Sequence, residues 1–192
     1  CGAVGNGKRE ADLTKATVKK LIPLLKSQGH RVKDVTPYNQ SFSNNKAHHR
    51  TRCRIADNFR ADIFLDIHIN SGGGTGVECW IYIKSSASHK YANRICKNIS
   101  KNIGIRNRGV KVDPALWSVS LCKTPAIIVE GAFIDNAKDM RKLNPDNYAR
   151  EIARAFGRVS SRATGSKSKN DNLYRVRKSW RNAKSQIGAF KN

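Results

Sequence analysis

The stretch from Asp62 to Asn70 constrains the fold more than any other part of the chain. It reads Asp-Ile-Phe-Leu-Asp-Ile-His-Ile-Asn and runs directly into Ser71-Gly-Gly-Gly-Thr-Gly76. Ile63, Phe64, Leu65, Ile67 and Ile69 form a nearly continuous apolar run of strand length, dense in β-branched and aromatic residues. Such a run suits a strand buried on both faces, in a mostly parallel sheet with helices on each side. The expected fold class is therefore α/β. The strand delivers His68 and Asn70 into a glycine-rich loop, and the carboxyl ends of strands are where open α/β sheets build their sites. On position alone His68 reads equally well as a core histidine, and Asn70 as a turn former.

The rest of the chain fits this frame. Cys1 to Gly7 reads as loop. Glu10 opens a helix running to about Ser27, with Leu13, Ala16, Thr17, Leu21, Leu24 and Leu25 at helical spacing. Glu10 and Asp12 lie in its first turn, where the helix dipole favours acids. Pro23 is expected to kink it, and Gly29 to end it. His30 to Thr36 reads as a strand and about 47 to 58 as a helix. His48 and His49 are adjacent on that helix and point to different faces, so both read as surface residues. Gly76 to Ile83 is expected as a strand and Ser88 to Ile103 as a helix. Arg106 to Ser120 reads mostly as loop, with Leu116 to Val119 short and extended; Trp117 and the nearby cations either line a cleft or lie on an ordinary surface. Ala126 to Val129 is a short buried strand ending in Glu130. A carboxylate there is costly to bury without a partner, which marks Glu130 for chemistry. Asp135 or Asn136 caps a following helix, and Tyr148 to Val159 is the last helix of the domain.

Thirty-seven Lys and Arg against fourteen Asp and Glu give a net charge of +23. That charge attracts polyanions; nucleic acid, anionic lipid and anionic cell-wall polymers all qualify. No recognised nucleic-acid-binding motif accompanies it, so nucleic acid is not the expected partner. No apolar run has the length of a membrane span, and no signal peptide is visible. The five cysteines show no CxxC spacing, and Cys79, Cys96 and Cys122 read as reduced packing residues. Residues 161–171 read as a Ser/Gly/Lys linker. From Ser161 onward the chain carries +8 of the total charge.

Four pieces now stand in order: Gly2-Ala-Val-Gly-Asn-Gly7 followed by Glu10-Ala-Asp-Leu13; the strand ending His68-Ile-Asn70; Gly74-Thr-Gly-Val-Glu78; and Ile128-Val-Glu130-Gly-Ala-Phe-Ile-Asp-Asn136. Together they resemble the zinc-dependent N-acetylmuramoyl-L-alanine amidases of the type-3 family, found in bacterial autolysins and phage endolysins. The resemblance spans about residues 1–160. It implies a peptidoglycan hydrolase that cleaves the amide between N-acetylmuramic acid and the L-alanine of the stem peptide, acting at the bacterial cell wall on its extracellular side. It implies Zn2+ held by Glu10 and His68, Glu130 as the catalytic acid–base group, and Asn70 as a substrate contact. The family's first histidine ligand, and the first strand of its sheet, lie upstream of where this sequence begins, which puts activity in question. The alternative is a degenerate, non-catalytic protein that binds the wall or another polyanion. Residues 172–192 resemble the start of a C-terminal wall-binding module that stops early.

Overall fold

The computed structural model of the chain describes residues 2–38, 40–159 and the backbone of 186–191. The chain opens with a hairpin: Val4–Gly5 (β1) pairs antiparallel with Lys8–Arg9 (β2). Asn6 and Gly7 between them have φ of 49° and 69°, the positive pair that an Asn-Gly turn supplies. The segment expected as loop is therefore a tight turn. Glu10–Ser27 (α1) remains one helix through Pro23, and Gly29, at φ 89°, reverses the chain after it. Arg31–Asp34 (β3) and Asn45–Asn58 (α2) follow, with Asn44 capping α2 through the amide of Ala47.

Next come Ile63–Asn70 (β4), Val77–Ile81 (β5), Ala87–Ile103 (α3), Asn107–Val112 (β6), Trp117–Ser120 (α4), Ala126–Phe133 (β7), Ala137–Lys142 (α5) and Pro145–Arg154 (α6). Gln186–Lys191 (β8) closes the described chain. Two expectations are corrected. The stretch expected as loop after Arg106 contains β6, and Trp117–Ser120 is a helical turn rather than extended. β6 is a half-exposed edge strand of polar and basic residues, so pairing with β5, not hydrophobic pattern, decides it.

The sheet has six strands in the order β3-β8-β4-β7-β5-β6. Neighbours are parallel except β5 and β7, which are antiparallel. The sheet is thus mixed, and the reason is local. Only the short glycine loop 71–76 joins β4 to β5, and a parallel crossover needs a dozen residues or more. β5 must therefore run against β4 and against its parallel neighbour β7. The place between β3 and β4 is taken by β8. The expected linker at 161–171 lies outside the described residues, as does all of the expected C-terminal module except the backbone of β8.

Alternation along β4 divides the core. Ile63, Leu65, Ile67 and Ile69 join the larger cluster with Val77, Cys79, Ile127, Val129 and the apolar stripes of α1, α3 and α6. Phe64 points the other way, into a smaller cluster with Cys53, Ala56, Val119, Ala126 and Ile128. The expectation of burial on both faces holds, and Asp66, His68 and Asn70 continue the second face toward the strand's end.

The cysteines depart from expectation at one pair. Cys53 on α2 and Cys122, just after α4, form a disulfide, while Cys79 and Cys96 are free and buried as expected. The two partners are 69 residues apart in sequence, so only the topology brings them together. Closing a loop of that length typically stabilises a fold by about 2–4 kcal/mol. Scanning calorimetry of the Cys53→Ser/Cys122→Ser variant is expected to show Tm lowered by about 5–10 °C at this chain length, and dithiothreitol should lower the parent's Tm while leaving the variant unchanged.

Candidate active site

β7 lies between β4 and β5, and its Glu130 is paired in register with His68 on one side and Glu78 on the other. Residues opposite each other in register share a face. His68, Glu130 and Glu78 thus form a row across three strands at one end of the sheet. Directly after this row the β4–β7 register shifts between His68 and Asn70, an irregularity of the kind common beside active sites. Tyr148 of α6 sits under it, its hydroxyl 3.0 Å from the carbonyl of His68 and 2.9 Å from that of Val129. Gly131 leaves the room: a Cβ there would meet the Tyr148 ring at 2.4 Å.

Glu10 reaches this row from α1. It is buried, with Oε2 accepting from the amide of Ala3 at 3.0 Å and Oε1 from that of Ile69 at 3.3 Å. Oε1 also lies 3.0 Å from His68 Nδ1. The residue that position alone would assign to the helix dipole therefore bridges the N-terminal hairpin and β4.

His68 is held at both ring nitrogens, with Nε2 3.2 Å from Asp66 Oδ1. Burial opposes a charge on the ring, but Asp66, Glu10 and Glu130 outweigh it and hold the imidazole pKa well above its ordinary value. Asp66 is in turn paired with Arg52 of α2, at 2.7 and 3.1 Å, both side chains fully buried. Ser118 of α4 donates to Asp66 Oδ2. Burial opposes the carboxylate here too, yet Arg52, His68 and Ser118 keep its pKa well below the usual range.

Glu130 has the opposite environment. Its Oε2 is buried without a hydrogen-bond partner among the described residues. Burial, only partly offset by His68 and reinforced by Glu10, Asp66 and Glu78, raises its pKa to about 7. Glu78 is pinned: Oε2 pairs with Arg108 at 2.6 Å and Lys111 at 2.7 Å, and Oε1 accepts from Asn70 Nδ2 at 3.0 Å and Trp80 Nε1 at 3.2 Å.

These groups open into a cleft of about 490 Å³ lined by His49, His68, Asn70, Glu78, Trp80, Trp117, Ser118 and Glu130, among others. Trp117 thus lines a cleft, one of its two expected places. His49, expected on the surface, is in the cleft wall; its helix packs over Asp66, and a helical pattern alone does not show what α4 brings against it. The glycine loop at the cleft's end is fixed from below. Asp135 accepts from the amides of Gly72 and Gly73 at 2.8 and 2.6 Å, and Asp139 from Thr75 Oγ1 and the amide of Gly76, both at 2.9 Å. Asn136 caps α5 and donates to the carbonyl of Gly74.

The structure therefore brings together all four residues expected at the site. Asp66, Arg52 and Ser118 were not foreseen; Asp66 was within reach, since it shares the His68 face two residues upstream. The donor set can be tested against zinc. A histidine ligand usually gives its other N–H to a carboxylate, which Asp66 provides at Nε2, leaving Nδ1 toward Glu10. With bonds near 2.0–2.1 Å, two ligands of a tetrahedral zinc lie about 3.3 Å apart, close to the 3.0 Å between Nδ1 and Oε1. Glu10 and His68 fit as a pair. Among the described residues no third His, Cys, Asp or Glu completes a three-donor group.

Residues 1–158 match the family described as Amidase_3, N-acetylmuramoyl-L-alanine amidase. The sporulation-specific N-acetylmuramoyl-L-alanine amidase of Bacillus subtilis (strain 168) is 31% identical over 192 residues, 99% of this chain and 70% of that protein. The endolysin of Bacillus phage SPP1 is 32% identical over 160 residues, 79% of this chain but 57% of its own length. Among solved structures, the catalytic domain of the CD27L endolysin targeting Clostridia Difficile superposes with a TM-score of 0.73 at 24% identity, covering 80% of this chain and 86% of that one. At that identity the likeness establishes the fold.

The buried ion pair yields a direct test. Removing one partner of such a pair costs about 3–5 kcal/mol because the other charge is left behind. Arg52→Met is expected to lower urea unfolding stability by that amount. Adding Asp66→Asn to it should recover part of the loss.

Proposed function

This chain belongs to the N-acetylmuramoyl-L-alanine amidase family, and we propose that it hydrolyses the amide joining the lactyl group of N-acetylmuramic acid to the L-alanine of the peptidoglycan stem. The single observation that carries this reading is Glu130: a carboxylate in the cleft, in register with His68, with an oxygen buried without a partner among the described residues and a pKa near neutral. A group poised there takes and returns a proton with least cost at neutral pH. Glu130 accepts the proton of the attacking water and passes it to the leaving nitrogen of L-alanine, so the amide breaks to a carboxylate and a free amine.

Glu10 and His68 would hold zinc, which supplies Lewis-acid polarisation of the scissile carbonyl and acidifies water. Asp66 fixes the His68 ring through Nε2, so that Nδ1, once its proton has left, would present its lone pair. Asn70 has two amide hydrogens, one of them engaged by Glu78; the other suits a substrate oxygen. The substrate is peptidoglycan in the bacterial wall, on the extracellular side, and the net charge of +23 suits anionic wall polymers. No helix among the described residues is long and apolar enough to cross a membrane.

The two-donor site favours a second reading, a wall-binding protein without hydrolysis. Turbidity of a purified peptidoglycan suspension with added zinc separates the two. On the first reading turbidity falls, and Glu130→Gln slows the fall by about 10²–10⁴ while still sedimenting with the wall. Sedimentation without any clearing favours the second. Zinc affinity is a separate expectation. Calorimetric titration of the 192-residue chain should show weak binding that Glu10→Gln or His68→Ala abolishes; tight, stoichiometric binding would mean that a further donor is present.

A further inference from the structure

His49 carries a hydrogen-bond donor that the proposed mechanism does not use. Its Nδ1 lies 2.7 Å from Arg52 Nη2 and 2.6 Å from Ser118 Oγ. A guanidinium only donates and stays charged, and the one hydrogen of Ser118 goes to Asp66, so Arg52 is the donor to Nδ1, and Nδ1 accepts from it. An imidazole accepting at Nδ1 and neutral overall carries its hydrogen on Nε2. Burial, together with the charge of Arg52, lowers the ring's pKa to about 4, so it stays neutral through the neutral range. The polar contacts of His49 among the described residues are made at Nδ1, while the ring itself lines the cleft. A neutral, oriented N–H is therefore presented to whatever enters.

Beside it stands Trp117, 42% exposed. Its ring centroid is 5.9 Å from that of His49, at an interplanar angle of 64°. An exposed large aromatic next to one fixed polar group is an economical pairing for a ligand with one apolar face and one acceptor. A pyranose ring bearing an N-acetyl group has both: a face of C–H bonds and an uncharged carbonyl oxygen.

We propose that His49 and Trp117 form a sugar-binding subsite of this cleft, in which the indole of Trp117 stacks on a pyranose face and His49 Nε2–H donates to the N-acetyl carbonyl of that sugar. The subsite rests on the amidase reading and specifies which part of the substrate lies against this wall. Arg52 sets the imidazole's tautomer and orientation before substrate arrives, so the donor needs no reorganisation on binding.

The test uses the full chain carrying Glu130→Gln, so that the probe is not consumed. A soluble N-acetylmuramoyl-peptide is titrated calorimetrically, beside the same peptide without its sugar. His49→Phe is expected to weaken the sugar-bearing probe about 3- to 10-fold, the range one hydrogen bond supplies, and to leave the bare peptide unaffected. Trp117→Ala should act in the same direction. His49→Gln, whose amide offers both an acceptor for Arg52 and a donor for substrate, should recover most of the affinity. In 15N-labelled protein the His49 ring should show the Nε2–H tautomer, with a shift on adding the sugar-bearing probe only. Should His49→Phe fail to fold, Trp117→Ala, an exposed position, and the imidazole shift decide the matter. Equal affinity of the parent, His49→Phe and Trp117→Ala overturns the subsite and leaves the amidase reading intact. A parent that binds neither probe overturns both.

Discussion

A buried carboxylate, Asp66, holds the site together. It lies on the central strand with no exposure, gripped by an equally buried Arg52. Taking two ions out of water costs several kcal/mol each, and the cost is offset only when geometry and further hydrogen bonds are good. Here the pairing is through two oxygens, Ser118 adds a donor, and His68 adds a second cation when protonated. Each partner comes from a different element: α2, α4 and β4 itself. Satisfying one carboxylate therefore fixes where two helices sit over the sheet and which way the site histidine faces. The Cys53–Cys122 disulfide ties the same two regions together, next to Arg52 on one side and just past the end of α4 on the other, so covalent and ionic constraints act on one junction.

The sheet converts this junction into a site through period-two alternation. On β4 the odd positions from Ile63 to Ile69 are committed to the larger core. The even positions pass from Phe64 in the smaller core through Asp66 and His68 to Asn70. β7 repeats the pattern with Ala126, Ile128 and Glu130, and β5 with Glu78 and Trp80. A single face thus changes from oily to acidic along the strand direction, and the change falls at the carboxyl ends of β4 and β7. The neighbouring β5 is antiparallel, so its first residues contribute there. That is how Glu78 comes to flank Glu130 although it opens its strand while Glu130 lies late in its own.

Much of this was legible beforehand, for identifiable reasons. β4 has an apolar density that few alternatives to a buried strand can absorb. Glu130 was conspicuous because a carboxylate at the end of a buried strand needs an explanation. Glu10 was readable only through family resemblance, since a first-turn acid has an adequate local reason to exist. Arg52, Ser118 and His49 were not legible as a group: each is unremarkable locally, and they meet only because α2 and α4 cross the same strand. The disulfide failed to announce itself for the same reason. β6 lacked a hydrophobic pattern because it is an edge, and the mixed character of the sheet followed from a loop length that was visible but not used.

The charge balance of the site bears on what it is built to hold. Arg52 neutralises Asp66, which leaves Glu10 and Glu130 around one imidazole. In the structure the resulting deficit of positive charge is met by a proton: His68 is driven to its charged form by the carboxylates about it, and Glu130 is itself pushed toward protonation, to about 7. The acids that stabilise an imidazolium there would stabilise any cation in the same place. The Nδ1 proton must leave before that nitrogen can serve as a ligand, and ligation is linked to proton release for this reason. A cation in the place of that proton would also weaken the demand on Glu130, whose high pKa arises from burial first and then from the neighbouring carboxylates. Burial does most to set Glu130 near neutrality, and the carboxylates that reinforce it, Glu10 first, are among those that would favour a cation beside His68.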